Sequence, residues 1–154
     1  PRNINAVVFL LYKAAGQARK ENVLSDNDPQ YVEFLKLVNS SAGTLKMGFD
    51  SCQSPAISKI CLDVAEESIE FCDSARFSMY IDCDLMAYPC SFGHGFNKFA
   101  VDLSRNTIKD AWESKEFERF RLLQAMQCNG CARKNCRPCA LGVLTNICGQ
   151  GIKK

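Results

Sequence analysis

Ten cysteines in 154 residues are where this sequence concentrates its chemistry. Four of them, Cys128, Cys131, Cys136 and Cys139, fall within residues 128–139, and Cys148 follows. Thiolate is the ligand of iron–sulfur clusters and of most structural zinc sites. Two cysteines separated by two residues can put both sulfurs on one metal, because the short turn points backbone N–H groups at them. Gly130 and Pro138 lie inside these turns, one relaxing the backbone and the other fixing it. Three chemistries are open to such a run: a disulfide knot, a zinc knuckle or an iron–sulfur site. Only four residues separate Cys131 from Cys136, whereas zinc ribbons place about a dozen or more between their two pairs. That spacing argues against four neighbours closing on one zinc. It favours ligands divided between two sites, one cysteine of the run serving a second cluster.

The elements that must position these thiols follow from the rest of the chain. Apolar residues make up 47% and charged residues 23%, a globular composition. The length suits one domain, or one small domain attached to a piece of another. A net charge of +2 without a basic run interleaved with aromatics points away from nucleic acid. No apolar stretch approaches a membrane span, and residues 5–12 lack the charged lead-in and small-residue cleavage site of a secretory signal. Ten cysteines without an export signal read as metal ligands of a cytoplasmic protein rather than disulfides. A chain opening on Pro1, directly before an apolar strand, reads as a fragment. There is no internal repeat and no low-complexity tract.

Residues 4–12 form a continuous apolar run rich in β-branched and aromatic side chains, suited to a strand buried on both faces of a parallel sheet. The loop from Lys13 lies at the strand's carboxyl end, which carries the active site in α/β barrels, or else is a plain connection. Asp28 predicts an N-cap with Pro29 at the first helical position, and Tyr31, Phe34, Leu35 and Val38 predict the buried stripe. Residues 45–49 predict the next short strand, completing a βαβ unit that cannot bury both sheet faces alone. From Asp50 and Cys52 the long apolar strands stop. Residues 55–71 predict a helix with Ile57, Ile60, Cys61, Val64, Ile69 and Phe71 on its apolar face, ended by Cys72. Residues 76–82 alternate like a half-buried strand, and residues 86–90 read as its hairpin partner, with Pro89 at the end where its missing N–H costs little. Residues 99–103 predict a third strand. Asn106 is expected to cap a helix with Ile108, Ala111 and Trp112 on one side, followed by a second carrying Phe117, Phe120, Leu122 and Leu123. Trp112 reads as core, and the lone His94 as a structural or surface residue rather than a ligand.

From Cys72 onward the order of residues resembles a SPASM domain, the carboxy-terminal extension of many radical S-adenosylmethionine enzymes, among them anaerobic sulfatase maturases and peptide maturases. The resemblance rests on Cys72, on Ser78-Met-Tyr-Ile-Asp82 leading to Tyr88-Pro89-Cys90, on Asn106-Thr-Ile-Lys-Asp-Ala-Trp112, on the cysteine run and on Cys148. The family pattern has a Cys, a variable gap, a Gly, four residues and a Cys, then C-x2-C-x5-C-x3-C and a last Cys. Here twelve residues follow Cys72, Leu85 stands in the Gly position, and the run reads C-x2-C-x4-C-x2-C, one residue short in each of two gaps. The resemblance implies an α/β chain: residues 1–50 as the βα remnant of a partial TIM-type radical SAM barrel, and residues 51–154 as a small Cys-rich α+β SPASM domain with a β-hairpin.

It also implies two auxiliary [4Fe–4S] clusters that share the cysteine run. Cys128, Cys131, Cys136 and Cys148 would hold the outer cluster; Cys72, Cys90 and Cys139 would hold the inner one, with a fourth ligand upstream at Cys52 or Cys61. Cys52, directly after a strand and turn, is preferred. Cys61 has the apolar helical setting of a packed thiol, and Cys83, in the hairpin turn, has no slot in the pattern. The clusters would serve electron transfer or substrate positioning in peptide or protein modification. The Cys-x3-Cys-x2-Cys motif that binds the S-adenosylmethionine cluster is absent from these residues. S-adenosylmethionine and a third [4Fe–4S] cluster are therefore expected only in the full-length enzyme, and this chain alone should be inactive. Expected partners are the missing amino-terminal radical SAM domain, a peptide or protein substrate, and a redox donor such as ferredoxin or flavodoxin. Two rival readings are a zinc-binding interaction module and a ferredoxin-like electron carrier; the second leaves the strand-and-helix front piece without a purpose.

Overall fold

The computed structural model describes residues 5–25, 28–41, 43–44, 46–55, 57, 70–126 and 139–141. Cys61, Cys128, Cys131, Cys136 and Cys148, and most of the helix expected over 55–71, lie outside the described residues. The chain forms two compact units, residues 1–72 with 127–154 and residues 73–126. The first takes in the 1–50 segment together with Cys52, Cys72 and Cys139.

In the first unit, helix α1 (Pro29–Ser40) starts where local chemistry directs it. Asp28 Oδ1 accepts hydrogen bonds from the Gln30 amide at 2.9 Å and the Tyr31 amide at 3.3 Å, and Pro29 takes the first position, where no N–H is missed. Tyr31, Leu35 and Val38 come round to one buried face. Strands β1 (Val7–Phe9) and β2 (Met47–Phe49) pair in parallel, with Val7 opposite Met47 and Phe9 opposite Phe49. The order β1–α1–β2 is the βαβ unit the spacing predicts. Its core is Leu11, Tyr31, Leu35, Val38 and Ile57, against which Leu24, Phe34, Met47, Phe49 and Cys52 pack. Phe9 meets Phe34 edge-on at 4.9 Å and stacks on Phe49 at 5.5 Å.

Two expectations for this unit are corrected. The strand is three residues long and is not buried on both faces: Val8 is 63% and Leu10 77% exposed. Side chains alternate along a strand, so when Leu11 joins the α1 core, Val8 and Leu10 point to the opposite side. The helix begun at residues 54, 55 and 57 does not reach Phe71, since residues 70–71 have no helical structure. The buried Ser54 hydroxyl instead donates to the Glu70 carbonyl, tying the two ends of that segment together.

In the second unit, β3 (Tyr80–Ile81), β4 (Met86–Tyr88) and β5 (Val101–Asp102) form an antiparallel sheet in that order, with Tyr80 opposite Tyr88 and Ala87 opposite Val101. The hairpin and third strand are thus found, though shorter than expected. Arg76 and Phe77 lie in a turn rather than a strand, because both amides donate to the Asp73 carbonyl at 2.9 Å. Ala75, at φ 59°, breaks any extended run there. In the β3–β4 turn Asp82 Oδ1 accepts from the Asp84 amide at 3.0 Å and the Met86 amide at 2.9 Å. Leu85, in the position of the pattern's Gly, adopts φ 59°, the left-handed conformation that glycine takes without steric cost.

Helix α2 (Ile108–Trp112) is capped by Thr107, not Asn106. Thr107 Oγ1 accepts from the Asp110 amide at 3.1 Å while Asp110 Oδ2 accepts from the Thr107 amide at 2.8 Å, a reciprocal box that Asn106 cannot make one residue earlier. Asn106 donates its side-chain amide to the Asp102 carbonyl at 2.8 Å instead. Helix α3 (Lys115–Ala125) starts at Ser114, whose hydroxyl accepts from the Phe117 amide at 3.2 Å. Its buried stripe is Phe117, Phe120 and Gln124, a helical spacing that leaves Leu122 61% exposed. Ile108 is likewise exposed, and Ala111 alone of α2 is buried. Phe120 packs edge-on against Phe99 at 5.2 Å, and Trp112 lies half-buried 6.2 Å from Phe117. No helix among the described residues is long and apolar enough to cross a membrane.

Candidate metal centre

Strand β2 runs directly into the turn at residues 51–53 that carries Cys52. Asp50 organises this turn. Its Oδ1 accepts from the Gln53 amide at 3.2 Å, and its Oδ2 accepts from the Leu11 amide at 3.2 Å and from the Lys13 ammonium in an ion pair. Lys13 Nζ also donates to the Leu11 carbonyl at 3.1 Å, and Gln53 Nε2 to the Phe9 carbonyl at 3.0 Å. The carboxyl ends of β1 and β2 are therefore stitched together through polar side chains. The Lys13 and Asp50 side chains are only 10% and 18% exposed, so their charges act through protein more than through solvent.

Burial pushes the Cys52 thiol up to about 12; Lys13 draws it down, while Asp50, Cys139 and Cys72 push it further up. Cys52, Cys139 and Cys72 thus share one electrostatic neighbourhood within the first unit. A thiol held so high stays protonated at neutral pH and becomes a ligand only when a metal displaces its proton. Cys139 is half-buried and is followed by the buried Ala140 and Leu141. Among the described residues, no three Cys, His, Asp or Glu side chains are gathered closely enough to hold a metal ion. The three thiols share a field without converging.

Cys90 belongs to the second unit, where it follows Pro89 and its carbonyl accepts from the Gly93 amide at 2.8 Å. Cys83 is exposed in the hairpin turn. Cys52, Cys72, Cys83, Cys90 and Cys139 are all thiols rather than half-cystines. His94 is exposed, its Nε2 lying 3.5 Å from Oδ2 of the buried Asp82 carboxylate. Cys61, Cys128, Cys131, Cys136 and Cys148 lie outside the described residues.

Sequence reasoning placed Cys52 after a strand and turn, but gave no role to Asp50, Gln53 or Lys13 in holding it. A signal was present. Asp50-x-x-Gln53 has the residue types and spacing of a capping box, but the helical residues begin only at Ser54, so the Asp50 side chain closes the turn ahead of the helix. Gln53 departs from that motif by reaching across to β1. Arg121, which donates to the carbonyls of Ala75 at 3.0 Å and Trp112 at 2.8 Å, left no local signal, because its first partner is 46 residues away.

Residues 72–140 match the SPASM family, an iron–sulfur cluster-binding domain. A SPASM domain is therefore present over just under half of the chain. The matched stretch starts at Cys72, takes in Cys90 and the run from Cys128, and ends one residue beyond Cys139; Cys52, Cys61 and Cys148 fall outside it. No curated protein and no solved structure matches the chain. The donor chemistry suits the family's cofactor, since iron–sulfur clusters are held by cysteine thiolates, and Cys72 and Cys139 both lie near enough to act on Cys52.

Proposed function

We propose that this chain is the carboxy-terminal part of a radical S-adenosylmethionine enzyme and that it carries two auxiliary [4Fe–4S] clusters used in peptide or protein modification. The observation that carries the reading is the SPASM match over residues 72–140, together with Cys52, ahead of that match, sharing a field with Cys72 and Cys139. On the family pattern, Cys128, Cys131, Cys136 and Cys148 hold the outer cluster, and Cys52, Cys72, Cys90 and Cys139 the inner one. Bound clusters would supply one-electron transfer or a docking point for substrate. The chain's own residues bind and orient them. The turn at residues 51–53 presents Cys52, and the core beneath it shields that sulfur from water. The β1–α1–β2 unit is read as the last piece of a partial barrel, and the exposed Val8 and Leu10 supply an apolar surface for the preceding strands. An amino-terminal radical SAM domain, a peptide or protein substrate and a ferredoxin- or flavodoxin-type donor are the partners this reading calls for, in the cytoplasm. S-adenosylmethionine would bind to that domain with a third cluster.

Replacing ligands one at a time tests the assignment. Removing a ligating thiolate opens a coordination position and loses or degrades one cluster, whereas removing a packed or exposed thiol costs a cavity of about 1 kcal/mol or less. Cys52→Ala, Cys139→Ala and Cys148→Ala should each lose about half of the reconstituted iron. Cys83→Ala should keep all of it, and Cys61→Ala nearly all. Iron loss in Cys61→Ala but not in Cys52→Ala would reassign the fourth ligand. Full iron in Cys52→Ala, Cys139→Ala and Cys148→Ala alike would overturn the reading.

A further inference from the structure

We propose that the Lys13–Asp50 pair is a positioning and potential-setting device for the cluster held by Cys52, fixing the turn that presents this sulfur and biasing the electron that the cluster accepts. The inference rests on the reading of Cys52 as a cluster ligand.

The geometry has two parts. Asp50 uses both carboxylate oxygens: one closes the turn on the Gln53 amide, and the other ties that turn to the Leu11 amide and the Lys13 ammonium at the end of β1. Gln53, itself 2% exposed, adds a second bridge to the Phe9 carbonyl. The backbone on both sides of Cys52 is therefore anchored before any metal arrives, and a preorganised ligand loses less freedom on binding. Second, a largely buried ion pair seldom adds net stability, because desolvation offsets the attraction. An apolar pair would leave the Leu11 and Gln53 amides without their side-chain acceptor. It would also lack charge beside a sulfur. The Asp50 carboxylate closes the turn that carries Cys52, and the Lys13 ammonium is paired to that carboxylate, so the turn places one charge of each sign beside this residue.

The same charges must act on a cluster attached there. Reduction adds one electron, hence one negative charge, to the iron–sulfur unit. A nearby cation stabilises the reduced state and raises the potential, while a nearby carboxylate lowers it. Lys13→Met should therefore shift one reduction step to more negative potential, and Asp50→Asn should shift it to more positive potential. Lys13→Arg, which keeps the charge, should stay close to the unaltered chain. A role confined to folding would not produce shifts of opposite sign.

The experiment is a redox titration of the anaerobically reconstituted full chain and these three variants, followed by visible absorption and electron paramagnetic resonance, with iron and sulfide measured on each sample. Opposite shifts, with Lys13→Arg unmoved, are the expected result. Loss of iron in Lys13→Met that Lys13→Arg restores would support the same requirement for charge. Shifts of one sign, no shift, or iron lost from Lys13→Met and Lys13→Arg alike would overturn the proposal while leaving the cluster reading intact. If Asp50→Asn fails to fold, the Lys13 pair of variants decides. If the unaltered chain takes up no iron, the function proposed above falls, and this inference falls with it.

Discussion

Replacing Arg121 with Met should destabilise the second unit more than any other single change on its helices' polar side. The guanidinium of Arg121 donates to the Ala75 carbonyl at 3.0 Å and the Trp112 carbonyl at 2.8 Å, and it lies 5.6 Å from the centre of the Trp112 ring. It thereby joins α3 to the end of α2 and to the tight turn at Ala75, whose amide bonds the carbonyls of Ser78 and Pro89. A hydrogen bond from a charged donor contributes about 1.5–3 kcal/mol, and a cation over an exposed ring about 0.5–1 kcal/mol. The site is only partly buried, so water recovers some of the loss, and the low end of each range applies. The expected cost is about 3.5 kcal/mol. Met fills the space of the aliphatic stem, which confines the change to the polar head. Urea unfolding followed by the fluorescence of Trp112, the only tryptophan in the chain, reports on this unit. Arg121→Lys should recover less than half, because an ammonium cannot span two carbonyls set for a planar fork. A Met variant within about 0.5 kcal/mol of the unaltered chain, the range of an ordinary surface change, would refute the reasoning.

Hydrogen bonds from the Thr107 hydroxyl and amide hold the Asp110 carboxyl below its ordinary value. A carboxylate lowered on folding stabilises the folded state above the ordinary aspartate value of about 3.9, and that contribution is lost as pH falls through the lower folded value. Acid unfolding curves should show this loss, Thr107→Ala should reduce it because the hydroxyl bond goes while the backbone amide still donates, and the same substitution should cost about 1 kcal/mol at neutral pH; an unchanged acid limb in Thr107→Ala would count against the capping box. At Leu85 the left-handed backbone should reverse the usual ranking of small residues, making Leu85→Gly more stable than Leu85→Ala by about 1 kcal/mol in denaturant unfolding; Ala more stable than Gly would mean that the turn does not keep this conformation.

What was legible in the sequence was what short-range chemistry dictates. Asp28 with Pro29 marked the start of α1 because a side-chain cap and a missing N–H act on adjacent residues. The β3–β4 hairpin and the placement of Cys83 in its turn were readable for the same reason. Thr107 was overlooked in favour of Asn106 because both residue types cap helices, and only the reciprocal bond with Asp110 separates them. The long apolar run at residues 4–12 suggested a strand buried on both faces, yet only one of its faces meets α1; a hydrophobic run shows that an apolar neighbour suits it, not that one is present. In the candidate site, Cys139 stood out by the cysteine run and family likeness, and Cys52 by its place directly after a strand and turn. The Lys13–Asp50–Gln53 clasp was not, because its bonds join residues 37 to 44 positions apart, and no local pattern encodes which strand end lies beside which turn.

The claim that this chain holds iron–sulfur clusters is tested most directly by the metal and acid-labile sulfide content of the purified chain after anaerobic reconstitution. About eight irons and eight sulfides per chain, in a brown protein, are expected for two four-iron clusters. Zinc at about one or two per chain, in a colourless protein without sulfide, would contradict it.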